Sequence, residues 1–182
     1  MSRLGPIPLE QMSAAQRQLH DKIAGQGRNP QGPLGVMIHV PELGEQVSGF
    51  VDYLMSDTLV PQKLKSIAIL VIARAYTAQY EWFVHERRAR SMGIDASVID
   101  AIRERASPAF KDPAEALVYE ITREILDSRT LGDELYARAT KSLGDQALIE
   151  LITVIGWYIA VAVLVVSFQL AAPGANPAPL GP

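Results

Sequence analysis

An acid and an imidazole stand four residues apart in the stretch YEWFVH, as Glu81 and His85. On a helix, which turns by about 100° per residue, both side chains project from one face. A carboxylate that orients an imidazole is a general acid–base pair, although an ordinary helix ion pair has the same spacing. The adjacent Trp82 could pack in the core or wall a pocket for a ring-shaped ligand.

Three further residues are candidates for substrate binding. On a continuous helix Arg74 projects within about 20° of Glu81, so its guanidinium could dock a substrate carboxylate. His39 and Tyr158 are weaker candidates, since one could be a polar loop residue and the other a buried tyrosine. A metal site at Glu81 and His85 would need a third ligand, such as His39, and we predict no metal.

The elements that must position these residues are predicted to be helices, because helical periodicity and capping signals recur and strand alternation does not. Arg74, Glu81 and His85 are predicted to lie on one long central helix from Pro61 to Met92, ended by Gly93. A loop rich in glycine and proline separates the first helix from the next at Gly25–Gly35. Other helix starts are predicted at Ser13, Pro41, Asp95, Asp112–Pro113 and Asp145.

Size and composition fit one all-α domain. The chain has 182 residues, a net charge of −3 and no cysteine, which excludes disulfides and a thiol nucleophile and argues against nucleic acid as a partner. Residues 1–172 are predicted to form the domain and 173–182 a Pro/Gly-rich tail, disordered or wrapped around a neighbour. No signal peptide is recognised at the N-terminus, so we predict a cytoplasmic protein.

The uncharged segment 151–168 is long enough to span a bilayer. However, no basic residues follow it, and Trp157 and Tyr158 fall in its middle rather than at an interface. We therefore favour a helix that is buried in the core or between subunits, and we predict no membrane partner.

The order and spacing of several motifs resemble the carboxymuconolactone decarboxylase family of the AhpD-like superfamily. The main one is AYTAQYEWFVHERRARSMGIDASVIDAI; HVPEL is similar to an upstream element of the family, and DQALIELITVIGWYIAVAVLVVSF to its C-terminal helix. The resemblance implies an AhpD-like helical fold that assembles as a homo-oligomer, a trimer or a hexamer, with sites near subunit interfaces.

The resemblance also implies a reaction. It suggests a lyase of aromatic compound catabolism: a cofactor-free decarboxylase of a small carboxylated lactone, of the 4-carboxymuconolactone type, with Glu81 and His85 as catalytic residues. The peroxidase branch carries two cysteines at the positions of Ala78 and Glu81, and their absence makes thiol peroxidase activity unexpected. A hydrolase or isomerase acting on a related acid or lactone, and a non-catalytic ligand-binding member, stay open as alternatives.

Overall fold

The computed structural model describes residues 2–174 and 179–181, and the predicted all-α fold is confirmed over these ranges, which contain no strand. After a short 3-10 turn at Leu9–Gln11, the helices are α1 (Ala14–Gly25), α2 (Pro33–Met37), α3 (Pro41–Met55), α4 (Gln62–Ala75), α5 (Gln79–Ser91), α6 (Ala96–Arg103), α7 (Pro113–Ser128), α8 (Asp133–Leu143) and α9 (Asp145–Ser167).

Most helix boundaries follow the predicted signals. Ser13 and Gln16 form a capping box, in which the Gln16 N–H donates to Ser13 Oγ at 3.3 Å and the Ser13 N–H to Gln16 Oε1 at 3.0 Å. Pro41 is the first residue of α3, and Asp95 caps α6 by accepting from the Ser97 N–H. These local hydrogen bonds explain why the starts of these helices could be predicted from the sequence.

The predicted long central helix is wrong: the segment forms two helices, α4 and α5, joined by a tight turn. The Ala78 N–H donates to the Ala73 carbonyl at 2.8 Å and the Thr77 N–H to the Arg74 carbonyl at 3.1 Å. Thr77 adopts a left-handed conformation with φ 51°. This is the pattern of a Schellman cap, with threonine at the position that glycine usually occupies, so nothing in the residue types signals the break.

Helices α4 and α5 therefore form an antiparallel hairpin at the centre of the protein. Ser66 near the start of α4 contacts the sulfur of Met92 just beyond α5 at 3.4 Å, and Gln62 accepts from Arg88 at 3.3 Å. Every residue of α4 from Leu64 to Arg74 is buried, because α5, α7 and α9 pack around it. The hairpin thus presents α5 to the inside of the bundle, facing α9.

Helix α9 is apolar along most of its length, but only one of its faces is buried in the protein. Its inner face is buried, whereas Ile149 (66% exposed), Ile152 (40%) and Val163 (48%) form an exposed apolar outer face. Within the described ranges α9 is the one helix long and apolar enough to cross a membrane, and 44% of its most apolar window is buried in the protein. Length and composition alone are weak support for a membrane span, because buried core helices also meet this criterion.

The end of the chain was predicted to be disordered or wrapped around a neighbour, and its last described residues instead pack against their own chain. Residues 173–174 are not helical, as predicted, and residues 175–178 lie outside the described residues. Beyond them, Leu180 is 3% exposed and packs against the main core of its own chain. The last described segment is therefore bound to the protein.

Candidate active site

The acid–base pair lies in the first two turns of α5. Glu81 Oε2 and His85 Nε2 are 3.3 Å apart, and the two side chains are 6% and 8% exposed. The turn at Thr77 starts α5 where both residues point toward the inside of the bundle, so the contact between them is shielded from water. Burial makes this pair unlike an exposed helix pair, because shielding from solvent strengthens the attraction between the charges.

The second ring nitrogen of His85 is buried without a hydrogen-bond partner among the described residues. A buried polar atom of this kind costs roughly 1–3 kcal/mol, so a native structure usually supplies a partner for it. The imidazole ring also contacts Tyr158 of α9 edge-to-face, with ring centroids 5.2 Å apart and an interplanar angle of 87°. Glu81 beside one nitrogen and Tyr158 against the ring fix the imidazole, while Nδ1 makes no hydrogen bond within the described residues.

Tyr158 connects this pair to helix α3. Its hydroxyl donates to the sulfur of Met55 at 3.3 Å. Burial raises the pKa of the Tyr158 phenol, the negative charge of Glu81 raises it further, and the positive charges of Arg88 and Arg28 act in the opposite direction. The phenol is therefore neutral at all ordinary pH values and can serve as a hydrogen-bond donor but not as a base.

The glycine- and proline-rich loop covers the start of α5. Asn29 Nδ2 donates to the hydroxyl of Tyr80 at 3.1 Å. Gly32 lies so close to the same hydroxyl that a Cβ at position 32 would meet it at 2.3 Å. Because Tyr80 directly precedes Glu81, these contacts fix the Gly25–Gly35 loop next to the turn of α5 that carries the Glu81 carboxylate.

The same loop supplies a cation that the sequence analysis missed. Arg28 Nη1 is 2.7 Å from Asp52 Oδ1 on α3. Asp52 lies one helical turn before Met55, whose sulfur contacts Tyr158, and the charge of Arg28 acts on the Tyr158 phenol. The only available signal in the sequence was a lone basic residue in a loop with no regular spacing to α5.

Arg74, the predicted carboxylate-binding residue, is not part of this cluster. The break at Thr77 removes the continuous helix on which Arg74 would share a face with Glu81. Its Nε donates to the Arg103 carbonyl at 2.6 Å and its Nη1 to Thr77 Oγ1 at 3.3 Å. Burial and the nearby charge of Arg105 lower the pKa of Arg74, which lines a separate cavity of about 270 Å³.

Two other predicted substrate-binding residues also lie elsewhere. His39 is placed 3.2 Å from the Gly5 carbonyl and lines a cavity with residues of the N-terminal segment. Trp82 is completely buried, and its indole N–H donates to Glu86 Oε2 at 2.7 Å. Trp82 is therefore a core residue, which leaves Tyr158 as the one predicted binding residue that contacts the acid–base pair.

The described residues bring together no group of three or more His, Asp and Glu side chains that could hold a metal ion. The cluster of Glu81, His85 and Tyr158 offers instead a carboxylate, an oriented imidazole and a neutral phenol, with Arg28 nearby. Such a set can move a proton onto or off a bound acid or lactone.

Comparison with known proteins finds a family match that includes two residues of this cluster. The model of the carboxymuconolactone decarboxylase family matches residues 41–124, from α3 into α7, and includes Glu81 and His85. Tyr158 and Arg28 lie outside the matched segment. No curated protein matches the chain.

Proposed function

Because residues 41–124 match the model of the carboxymuconolactone decarboxylase family, we propose that this protein is a cofactor-free decarboxylase of a small carboxylated lactone, of the 4-carboxymuconolactone type. Glu81 and His85 act as the acid–base pair in this proposal.

The observation that carries the proposal is the free Nδ1 atom of His85. A pair that served only to stabilise α5 would be expected to satisfy both ring nitrogens, as buried polar atoms usually do. Here one nitrogen is held by Glu81 and the other is buried without a partner among the described residues. A substrate atom at Nδ1 would complete the hydrogen bonding of the ring.

The chemistry follows from this arrangement. When the carbon–carbon bond to the carboxylate breaks and CO2 leaves, the bonding electrons move into the ring and carbonyl system of the lactone. Protonated His85 then gives its Nδ1 proton to the carbon that carries this electron density. Glu81 stabilises the imidazolium before the transfer and keeps the remaining proton on Nε2 afterwards.

Arg28 replaces Arg74 as the residue that recognises the substrate anion. An arginine held on the leaving carboxylate would oppose CO2 loss, because it stabilises the charge that must disappear. We therefore assign to Arg28 a second carboxylate or the lactone oxygen, for which it would exchange its present partner Asp52. Since Glu81 and His85 are buried, substrate entry also requires the loop around Asn29 and Gly32 to open.

The test is CO2 release from 4-carboxymuconolactone by the wild type, Glu81→Gln and His85→Ala. We expect both variants to lose about 10²–10⁴-fold in rate while their circular dichroism spectra stay those of a folded protein. His20→Ala is the matched control, because His20 also pairs with an acid, Asp21 at 2.9 Å, but on α1. Turnover by the wild type that survives in both variants would refute the assigned roles.

The products distinguish the alternatives. An opened or rearranged lactone that keeps all its carbon would indicate a hydrolase or an isomerase using the same pair. If no product forms but the ¹⁵N signal of His85 Nδ1 shifts when the lactone is added, the protein is a ligand-binding member of the family. No turnover and no shift would exclude this lactone as the ligand.

Our predictions of a cytoplasmic location and of a homo-oligomer, a trimer or a hexamer, belong to the same proposal. Support for self-association comes from an exposed apolar patch of Ile149, Leu59 (58% exposed) and Tyr53 (55%) that lines one cavity. Sedimentation analysis of the wild type should give a trimer or hexamer. Ile149→Lys should shift it to the monomer, and a monomeric wild type would contradict the prediction.

A further inference from the structure

The C-terminal segment Pro179–Gly181 is held by its backbone in a groove of the same chain. Gln79, the first residue of α5, accepts from the Leu180 N–H at 2.9 Å and donates to the Leu180 carbonyl at 2.8 Å. One side-chain amide thus satisfies both backbone groups of one residue. This is how an extended peptide is recognised independently of its side chains.

The side chain of Leu180 supplies a second, selective contact. It is 3% exposed and belongs to the main hydrophobic core. Burying a leucine side chain stabilises by about 1.5–3 kcal/mol, so a large or charged residue would not be accepted at this position. Next to it, Pro179 lines an apolar cavity of about 350 Å³ with Val166 near the end of α9 and Leu170 beyond that helix.

The groove ends at Arg74, which lies near both Arg105 and Glu104. Arg74 Nη1 donates to the Gly181 carbonyl at 3.2 Å, and Arg105 lies close enough to Arg74 to lower its pKa. A Cβ at position 181 would meet nothing within 4 Å, so the groove does not select for glycine there. Recognition therefore rests on the backbone, on one leucine-sized side chain and on a following carbonyl oxygen.

We propose that this groove, formed by Arg74, Gln79 and the end of α9, is a binding site for an extended peptide and that Pro179–Gly181 is its resident ligand. The ligand class is a short extended peptide with a leucine preceded by proline, and the residue after the leucine need not be small. The site is independent of the proposed reaction. The groove nevertheless adjoins the acid–base pair, because Gln79 stands two residues before Glu81. A peptide bound in the groove therefore holds the start of α5 in place.

The first measurement is amide hydrogen exchange by NMR on the full chain. We expect the Leu180 amide to exchange at least about tenfold more slowly than the same amide in a free synthetic peptide of sequence NPAPLGP. Gln79→Ala should abolish this protection because it removes both backbone hydrogen bonds, whereas Gln146→Ala on the exposed start of α9 should not. Exchange of the Leu180 amide at the free-peptide rate in the wild type would overturn the proposal.

The second measurement asks whether the groove accepts a peptide from solution. Leu180→Asp in the full chain should release the resident segment, after which fluorescently labelled NPAPLGP should bind saturably by anisotropy. The wild type, whose groove is occupied, should bind at least about tenfold more weakly, and Leu180→Asp combined with Gln79→Ala should also lose about tenfold in affinity. Absence of binding to the folded Leu180→Asp variant would refute a peptide site.

Discussion

Removing the carboxylate of Glu150 should destabilise the protein more than any exposed charge change. Glu150 of α9 accepts from the backbone N–H groups of Leu59 and Val60 at 3.2 and 3.1 Å, and from the hydroxyl of Thr58. Its Oε1 is 3.3 Å from Nζ of Lys65, and the two side chains are 5% and 2% exposed. Glu150 thereby ties the connection between α3 and α4 to α9, next to the Met55–Tyr158 contact.

The expected loss in the free energy of unfolding follows from the buried Lys65 ammonium that Glu150→Gln leaves without a counter-charge. Glu150→Gln keeps the shape but removes the counter-charge of a buried ammonium, and breaking such a pair typically costs about 3–5 kcal/mol. For a chain of 182 residues, each kcal/mol corresponds to about 2–4 °C in Tm, so we expect Tm to fall by roughly 6–20 °C. Removing both charges, with Lys65→Met and Glu150→Gln together, should recover most of this loss.

Urea unfolding followed by circular dichroism measures these free energies. The matched control is Asp127→Asn, which breaks the exposed pair with Arg123 at 3.2 Å and should cost less than about 1 kcal/mol. The reasoning is refuted if Glu150→Gln costs no more than this control. It is also refuted if the double variant is as unstable as the sum of the two single ones.

Three further outcomes are expected. Burial alone would raise the pKa of Glu150, but its hydrogen bonds and Lys65 hold this pKa below the ordinary value of 4.5. As the pH falls, Glu150 is therefore protonated in the unfolded state before it is protonated in the folded state. The free energy of unfolding should therefore fall as pH drops below about 4.5, and less steeply in Glu150→Gln; a parallel pH profile would contradict this. Thr77→Gly should stabilise by about 0.5–1 kcal/mol in urea unfolding, because relief of the left-handed backbone, about 1–2 kcal/mol, outweighs the lost hydrogen bond from Arg74 to Thr77 Oγ1. Thr140→Gly within α8 should instead cost about 0.3 kcal/mol. Arg28→Ala should raise KM for the lactone about tenfold or more with a smaller change in kcat, while Arg138→Ala on α8 should leave both unchanged; equal effects would remove Arg28 from substrate binding.

Local signals and the family resemblance predicted the helical fold, because the information lies in adjacent residues. The capping groups Ser13, Asp95 and Asp112 each satisfy N–H groups two or three positions away, so their effect can be derived without knowing the tertiary structure. The Glu81–His85 pairing was predictable for the same reason, since four residues on one helix fix the distance.

The break between α4 and α5 and the tertiary contacts around the acid–base pair could not be predicted, because they depend on one residue and on long-range packing. Thr77 is a poor candidate for a left-handed cap, and it adopts this conformation where α4 and α5 fold back on each other. Once the helix breaks there, the angular argument for Arg74 no longer applies. Arg28 and Met55 reach the site through tertiary contacts with Asp52 and Tyr158, for which no periodicity in the sequence provides a signal.

Helix α9 presents one rigid element to two environments, with Tyr158 against His85 on its inner face and Ile149, Ile152 and Val163 exposed on its outer face. A second copy bound to the outer face, as proposed above, would contact the same helix that carries Tyr158. Where such an association shifts the position of Tyr158, it and occupancy of the acid–base site are thermodynamically linked, and each must strengthen or weaken the other by the same factor. As a result, the apparent affinity of the site should change with the concentration of the protein itself.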